Sequence, residues 1–349
     1  MTTPMSRSPL EPAAPTGAPS PPPPAPAMPP PRPLRVGLLD NPLSGRNRDG
    51  VDPLRRARSG EPGLRQRLVR TPADVAAALA DFAADGVDLV VVSGGDGTVQ
   101  AALTAVHRDG LFEPSPLLAL LPSGTTNMIA GDVGLRGGRA AALRRVLAWA
   151  RDPARPFALV ERAVLRTQAA PGAEPVFGMF FGTGAIAHGI RYYRSRIHPW
   201  GVRGELGAGL ALARYLLALA SGREIAAAPI TASVDGGPAE PETRLLLLVT
   251  TLHRLVLGIR PFWGREPGAL RLTAVAARPR RVLRALPAVL RGRPSRHGTP
   301  EHGYLSRNAR EIRLWFDAEY TLDGEMRTAD SRQGPVVLTD GGRACFVRC

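Results

Sequence analysis

The 349-residue sequence contains no lysine, so all 45 of its basic residues are arginine. A P-loop NTPase holds the nucleotide phosphates with the lysine of its GxxxxGK[ST] motif, and a protein kinase uses a lysine on a strand. Enzymes that work through a Schiff base also depend on a lysine amine. The missing lysine therefore excludes these three classes of enzyme.

Cysteine and long apolar runs are equally scarce. The two cysteines, Cys345 and Cys349, lie at the extreme C-terminus, which excludes a disulfide framework and a cysteine metal site. No stretch reaches the roughly 18 consecutive apolar residues of a membrane span. The proline-rich N-terminus lacks the apolar core of a signal peptide. We therefore expect a cytoplasmic protein, soluble or peripheral on the inner membrane face.

The formal net charge of +15 favours an anionic partner, such as a nucleic acid, an anionic membrane or a phosphate-bearing ligand. Seven arginines between Arg278 and Arg296 surround the apolar residues Val282, Leu283 and 286–290. This pattern is typical of a basic amphipathic segment on a membrane, and it is equally typical of a solvated face. Because aromatic residues are not interleaved with the arginines, we expect no nucleic-acid partner.

Composition divides the chain into three parts. Residues 1–33 contain 14 prolines and predict a disordered tail. In residues 34–154, apolar strand-like runs alternate with helical patterns, which predicts an α/β domain with a mostly parallel open sheet. In residues 155–349, strand-like runs such as 176–182 and 336–338 follow one another and predict a β-rich, sandwich-like domain with helices near 202–221 and 280–290. Terminal segments are free to return to the first domain.

The first of these domains can be read in more detail. We expect strands at 35–39, 67–69, 87–92 and 117–121 and helices at 72–84, about 98–107 and 137–149. Thr71 is placed to be the N-cap of the first helix, with Pro72 at its first position and Asp74 in the capping-box position.

A glycine-rich turn, Gly94-Gly-Asp-Gly-Thr98, follows the predicted strand at 87–92 and opens a helix. Ligands of open α/β sheets bind outside the carboxyl ends of the strands. Glycines let the backbone approach a phosphate, and a helix N-terminus offers free N–H groups. The turn therefore predicts a phosphate site, with Asp96 facing a metal or a ligand hydroxyl and Thr98 facing a phosphate.

Two further polar loops end neighbouring predicted strands. Asn41-Pro-Leu-Ser-Gly45 follows the first strand, and Pro122-Ser-Gly-Thr-Thr-Asn127 follows the fourth. Because parallel strands end at the same edge of a sheet, the three loops are expected to line one crevice. Far along the chain, Leu322-Asp-Gly-Glu325 places two carboxylates around a glycine, which suits general-base or metal chemistry. An Asp-Gly pair is also a common hairpin turn, and the sequence leaves both interpretations open.

Taken together, the loop at 41–45, the turn at 94–98, the loop at 122–127 and the Asp-Gly-Glu triplet at 323–325 resemble the diacylglycerol kinase catalytic family. This family includes sphingosine kinases and bacterial lipid kinases, and the resemblance spans about residues 34–340. It implies an α/β nucleotide-binding domain followed by a β-sandwich-like domain, with the active site between them. It also implies phosphorylation of a lipid hydroxyl by ATP and Mg²⁺, with a lipid substrate and an anionic membrane as partners. A homodimer is a further expectation.

Carried over residue by residue, the resemblance makes Glu325 the proton acceptor and Asp323 its assistant. It gives Glu266 as a metal ligand, in the segment where the family has an Asp-Gly-x-Leu pattern. The implied nucleotide contacts are Asn41, Pro42, Ser44, Gly45, Thr71, Gly94, Gly95, Asp96, Gly97, Thr98, Gln100 and Thr125.

Three departures from the family pattern keep alternatives open. Gln100-Ala101 stands where the family has Asn-Glu after the glycine turn, Met128 stands where it has Asp, and Glu266 replaces the metal Asp. A non-catalytic nucleotide- or lipid-binding homologue is therefore the first alternative. An NAD-kinase-like enzyme with a soluble substrate is the second, since NAD kinases share the glycine turn, although the Asp-Gly-Glu triplet speaks against it.

Overall fold

The computed structural model describes residues 32–45, 47, 54, 61, 63–153, 157–192 and 227–348. Almost all of the predicted proline-rich tail, the predicted helix at 202–221 and Cys349 lie outside these residues. None of the helices within the described ranges is long and apolar enough to cross a membrane.

The first half of the described chain alternates strands and helices, as the sequence predicts. Every helix and strand forecast between residues 34 and 154 is present within a few residues of its expected position, and a short helix after the fourth strand is added. The elements are β1 (Val36–Asp40), β2 (Leu64–Leu68), α1 (Pro72–Ala84), β3 (Leu89–Gly94), α2 (Asp96–Asp109), β4 (Leu117–Pro122), α3 (Met128–Val133) and α4 (Arg139–Arg151).

These four strands form a parallel sheet in the order β2-β1-β3-β4. Strands β1 and β3 are buried along their whole length, because helices cover both faces. Helices α1 and α2 pack on one face, where Leu79, Phe82 and Leu103 are fully buried, and α4 packs on the other through Leu143 and Val146. The sheet therefore has the doubly covered core of an α/β domain.

The second half is mostly antiparallel and also confirms the expected fold class. It includes the predicted basic helix and short 3₁₀ turns at 256–258, 300–302 and 331–333. The elements are β5 (Ala158–Gln168), β6 (Val176–Gly178), β7 (Phe180–Gly184), α5 (Ala185–Tyr192), β8 (Ala228–Val234), β9 (Glu240–Thr250), β10 (Leu270–Ala276), α6 (Val282–Leu290), β11 (Tyr304–Ala309), β12 (Glu311–Trp315), β13 (Glu319–Leu322), β14 (Glu325–Thr328) and β15 (Val336–Arg348).

Strand β11 has no counterpart in the sequence prediction, and two predicted strands differ clearly in extent. The run expected at 176–182 is divided at Met179, because the N–H of Met179 donates to the carboxylate of Asp323 instead of to a neighbouring strand. The last strand continues to Arg348, where the sequence predicts only 336–338. Gly341 and Gly342 interrupt the strand pattern in the sequence, although the strand continues through them. The register of β15 with β5 shifts at these glycines.

The long strand β15 joins the two halves. It pairs with β5 in antiparallel fashion over most of its length, and Phe346 pairs in parallel with Leu118 of β4. One 15-stranded sheet therefore runs from β2 at one edge to the hairpin of β13 and β14 at the other. The end of the chain returns to the first half, and this brings residues after 320 close to the turns after β3 and β4.

Candidate active site

The three polar loops meet at the carboxyl ends of β1, β3 and β4. The amide Nδ2 of Asn41 donates to Thr98 Oγ1 at 2.9 Å, which ties the first loop to the glycine turn. A Cβ added at Gly45 would lie 3.3 Å from Thr125 Oγ1, so the first and third loops also touch. The structure thus brings the three loops together as the sequence predicts. We call the space bounded by these loops and residues 322–325 the crevice.

The closest approach between two loops is made by two glycines. A Cβ at Gly124 would lie 2.5 Å from the Cα of Gly95, and a Cβ at Gly95 would lie 3.1 Å from the Cα of Gly124. Any side chain here would push backbone against backbone. Helix α2, which starts at Asp96, has no side-chain cap, so its first N–H groups are available to an anion.

Asp96 is held differently from the sequence expectation. Its two carboxylate oxygens accept hydrogen bonds from the backbone N–H groups of Met128 and Ile129, both at 3.0 Å. The carboxylate therefore sits at the N-terminus of α3 and locks the glycine turn to the third loop. Burial raises the pKa of Asp96 against the opposing effect of these two N–H groups.

Asn127 shapes the third loop, and sequence reasoning did not single it out. It adopts a left-handed conformation with φ of 52°, which asparagine tolerates better than most residues. Its Oδ1 accepts from the N–H of Gly124 and its Nδ2 donates to the carbonyl of Gly124, both at 2.7 Å. The loop is thus fixed by its own last residue. The polar, turn-forming character of Asn was the available signal.

Across the crevice lies the hairpin of β13 and β14. Asp323 and Gly324 form its two-residue turn with φ values of 48° and 90°, and Leu322 pairs with Glu325. Positive φ at both central residues is the geometry for which Asp-Gly is favoured. The two interpretations of this triplet are therefore compatible, because the turn that joins the strands also carries both carboxylates.

Asp323 is 2% exposed, and its carboxylate points back into the protein. It accepts from the N–H of Phe180 at 2.9 Å and from that of Met179 at 3.0 Å, and a Cβ at Gly178 would overlap its Oδ2. Burial, together with the charge of Asp96, holds the pKa of Asp323 well above its usual range. The buried side chain anchors the hairpin to the segment between β6 and β7.

Glu325 is exposed and lies over the glycine turn. A Cβ added at Gly97 would be 2.7 Å from Glu325 Oε1, so the carboxylate occupies the space that glycine leaves open. Gly97 and Glu325 are 228 positions apart in the sequence. The side chain that the resemblance implies as proton acceptor therefore faces the turn that it implies as the nucleotide site.

Gln100 links the two sides directly. Its buried side chain donates from Nε2 to the carbonyl oxygen of Leu322 at 2.8 Å. Leu322 precedes the hairpin turn, so this bond fixes the position of the hairpin relative to α2. Gln100 therefore has a positioning role. Its expected contact with a nucleotide stays a prediction.

The remaining predicted site residues are more scattered. Thr71 follows β2 at the same sheet edge and caps α1, with the capping box to Asp74 that the sequence predicts. Pro42 and Ser44 lie in the first loop, where Ser44 donates its N–H to the carbonyl of Asn41.

Glu266 lies on an exposed turn, and its Oε2 accepts from the N–H of Asn308 at 2.9 Å. No cluster of three or more His, Cys, Asp or Glu suited to a metal occurs among the described residues. The metal role of Glu266 stays a prediction.

Two charged groups near the crevice escaped sequence reasoning. Arg139, on the first turn of α4, donates to Ser123 Oγ at 2.8 Å and to Asn47 Oδ1.

Asp132 lies on α3 and is 1% exposed. It pairs with Arg162 at 3.0 Å and accepts from the N–H of His253 at 3.0 Å. Burial opposes ionisation of Asp132, but Arg162 and this N–H outweigh it and lower its pKa. Nothing in the local sequence around these residues indicates partners so far along the chain.

Comparison with known proteins agrees with this geometry. Residues 35–158 match the family model of the diacylglycerol kinase catalytic domain. A curated relative, "Probable lipid kinase YegS-like" from Stenotrophomonas maltophilia (strain K279a), is 40% identical over 73 residues, which are 21% of this chain and 24% of the relative. The match thus spans about a quarter of that relative's length.

Solved structures extend the likeness to both halves of the fold. A structure of a diacylglycerol kinase from Bacillus anthracis str. Sterne superposes with a TM-score of 0.56 at 19% identity, over 89% of this chain and 96% of that chain. A second structure from this strain gives a TM-score of 0.60 at 18% identity, over 90% of this chain and 97% of that chain. At this identity the likeness establishes a shared fold. The match to the diacylglycerol kinase catalytic domain therefore covers the α/β half of the chain, residues 35–158.

Proposed function

We propose that this protein is an ATP-dependent lipid kinase that transfers the γ-phosphate to a hydroxyl of diacylglycerol or a related lipid. The observation that carries the proposal is the position of Glu325, whose carboxylate faces Gly97 of the glycine turn across the crevice. A phosphate site and a free carboxylate that lie face to face are the two parts that transfer to an alcohol requires.

ATP would lie along the three loops. The close packing of Gly95 and Gly124 leaves no side chain between the backbone and a phosphate, and α2 offers its uncapped N-terminus. In the absence of lysine, Arg139 brings a permanent positive charge to Ser123, at the carboxyl end of β4. We therefore assign neutralisation of the phosphates to backbone N–H groups and to this arginine.

Glu325 would accept the proton of the lipid hydroxyl as its oxygen attacks the γ-phosphorus. The bond between that phosphorus and the bridging oxygen breaks, and ADP leaves with the electron pair. General-base assistance of this kind contributes roughly 10²–10⁴-fold to a rate. Asp323 would act through position, because its carboxylate is bonded to backbone N–H groups and fixes the turn that carries Glu325.

The crevice suits a magnesium ion held mainly by the nucleotide. Asp96 and Asp323 both direct their oxygens to backbone N–H groups, so Glu325 is the carboxylate best placed to reach an ion. Mg²⁺ commonly keeps several waters and binds through one or two carboxylates and the substrate phosphates. When bound, the ion would supply charge neutralisation to the phosphoryl group.

The proposal is tested by incubating the full chain with γ-labelled ATP, Mg²⁺ and a total bacterial lipid extract. We expect label in the organic phase from the wild type and not from Glu325→Gln, a variant that keeps the shape of the side chain. The mobility of the labelled product identifies the lipid. A wild type that binds ATP and labels no lipid would refute the proposal.

The same assay separates the alternatives. One observation favours a non-catalytic binding homologue. Of the crevice carboxylates Asp96, Asp323 and Glu325, only Glu325 is exposed. Saturable ATP binding without transfer to any lipid would favour this alternative. In a parallel reaction with NAD and no lipid, labelled phosphate on NAD would favour the NAD-kinase-like alternative.

We further propose that α6 rests on an anionic membrane while the crevice receives its lipid. Leu283 is 70% exposed, and the exposed Arg280, Arg281 and Arg284 flank it. An exposed leucine among arginines suits the boundary between headgroups and acyl chains. Each arginine near such a surface adds about 1 kcal/mol of attraction. Co-sedimentation with phosphatidylglycerol vesicles should weaken in the variant Leu283→Ser.

A further inference from the structure

A second polar cavity lies outside the crevice, at the end of α6. Its volume is about 330 Å³, and none of its lining residues belongs to the crevice. We call it the arginine pocket. It is lined by His253, Arg260, Phe262, Gly264, Arg271, Arg291, Gly292 and Asn308. Three guanidinium groups and one imidazole therefore share a cavity whose lining contains no carboxylate.

The fold holds two of the arginines next to each other. The N–H of Arg260 donates to the carbonyl of Leu290 at 2.9 Å. Gly292 has φ of 62°, and a Cβ there would strike the carbonyl oxygens of Arg260 and Phe262. Because backbone packs directly on backbone, the end of α6 and the segment at 260–262 keep Arg260 and Arg291 at the same mouth of the pocket.

The third arginine is fixed by its own hydrogen bonds. Arg271 donates from one terminal nitrogen to the carbonyl of Leu252 at 2.8 Å and to that of Thr251 at 3.3 Å. Its guanidinium also lies 5.9 Å from the centre of the Phe262 ring. These contacts orient the side chain and leave its positive charge without a bonded anion.

Nearby carboxylates offset the positive charge of the pocket only in part. Within the described part of the chain, Arg260 and Arg291 make no ion pair, and the one hydrogen bond of the Arg291 side chain goes to the carbonyl of Pro287. Asp132 lies nearby but pairs with Arg162, and Glu266 is bonded to backbone N–H groups. The pocket therefore presents fixed positive charge to whatever enters it.

The histidine beside the arginines reports the same field. Although His253 is exposed at the rim, partial desolvation lowers its pKa to about 4, and the charges of Arg271, Arg162 and Arg260 outweigh the opposing charge of Asp132. Since His253 is neutral at physiological pH, it is available as one more hydrogen-bond partner. Asn308 adds an amide whose Nδ2 donates to the carbonyls of Gly264 and Glu266.

We propose that the arginine pocket binds a phosphate group, contributed either by a lipid headgroup or by a free phosphate ester. Guanidinium groups match phosphate oxygens with two parallel hydrogen bonds, and three of them around one cavity favour phosphate over a single carboxylate. The neighbouring α6, with its exposed Leu283, would bring the pocket close to headgroups at a membrane. The proposal does not depend on the kinase activity.

The test uses the full-length chain without ATP. Free ligands are inorganic phosphate and glycerol 3-phosphate, measured by calorimetry, and lipid ligands are phosphatidylcholine vesicles with and without phosphatidic acid. The pocket variant is Arg260→Gln with Arg291→Gln. The control variant, Arg136→Gln with Arg144→Gln, removes the same charge from exposed residues that line neither the pocket nor the surface proposed to meet the membrane. All four side chains are exposed, so both variants should melt near the wild-type temperature.

We expect the pocket variant to lose about tenfold or more in affinity for at least one probe, because two charge-assisted contacts are removed. The control variant should keep its affinity for that probe within about threefold. Loss of phosphate or glycerol 3-phosphate binding would identify a free ester as the ligand. Loss confined to phosphatidic acid vesicles would identify a headgroup. Equal weakening of both variants, or no saturable binding of any probe, would overturn the proposal.

Discussion

The two sides of the crevice are held by contacts of very different range. On one side, Gly95 meets Gly124 and Asn127 closes its own loop, so neighbouring strands shape the turns. On the other side, the hairpin with Glu325 depends on Gln100, which reaches Leu322 over 222 residues of sequence. The phosphate side is shaped by contacts between neighbouring strands, whereas the carboxylate side depends on contacts across the whole sheet. Phosphate binding and transfer should therefore respond differently to substitutions.

The buried ion pair of Asp132 with Arg162 joins α3 to β5 and should give the largest loss of stability. In Asp132→Asn, Arg162 keeps its charge, 11% exposed, without its partner. Loss of one member of a buried pair costs about 3–5 kcal/mol of unfolding free energy. Urea unfolding followed by circular dichroism measures the loss. The matched control Asp81→Asn breaks an exposed pair with Arg67 and should cost less than about 1 kcal/mol. Equal losses in Asp132→Asn and Asp81→Asn would show that the buried pair stabilises the protein no more than the exposed pair does.

The glycine contact should come next and should act on nucleotide binding. In Gly124→Ala, the added methyl group would lie 2.5 Å from the Cα of Gly95, so the third loop must shift. Overpacking of this kind costs about 1–3 kcal/mol. We expect ATP affinity to fall by about tenfold, measured by calorimetry. Gly131→Ala is the control, because no atom lies within 4 Å of its Cβ and alanine favours a helix. A Gly124→Ala variant with wild-type affinity would separate the loops from ATP binding.

Asp323 should make the carboxylate side sensitive to pH. Its pKa is raised in the folded protein, so its contribution to stability is present at low pH and is lost as the pH rises through that raised value. Relative to Asp323→Asn, the wild type should therefore lose stability as the pH rises above about 4, the ordinary pKa of an aspartate. The measurement is urea unfolding of both proteins as the pH is raised from this value. A difference that does not vary with pH would contradict the account.

The cap of α1 should give the smallest effect. Thr71→Ala removes the hydroxyl that accepts from the N–H of Asp74 and should lower the free energy of unfolding by about 1 kcal/mol. Thr71→Ser keeps a hydroxyl and should restore most of this loss. If alanine and serine destabilise the protein equally, the capping box contributes nothing measurable.

The same contrast explains what the sequence could predict. Alternation of strands and helices, the cap at Thr71 and the meeting of three loops follow from local patterns and from the rule that parallel strands end at one edge. The split at Met179 could not be predicted, because it depends on a carboxylate 144 residues away. Asp132 with Arg162 and the arginine pocket were missed for the same reason. Asp96 shows a finer limit, since its residue type indicated a functional turn but not that its oxygens cap α3.

In the proposed mechanism, Glu325 acts on a nucleotide held by the opposite side of the crevice. The most direct test is a single-turnover transfer from saturating ATP to diacylglycerol in mixed micelles, with ATP affinity measured on the same proteins. We predict that Glu325→Gln slows transfer by roughly 10²–10⁴-fold while ATP affinity stays close to that of the wild type. Transfer at the wild-type rate by Glu325→Gln would contradict the account.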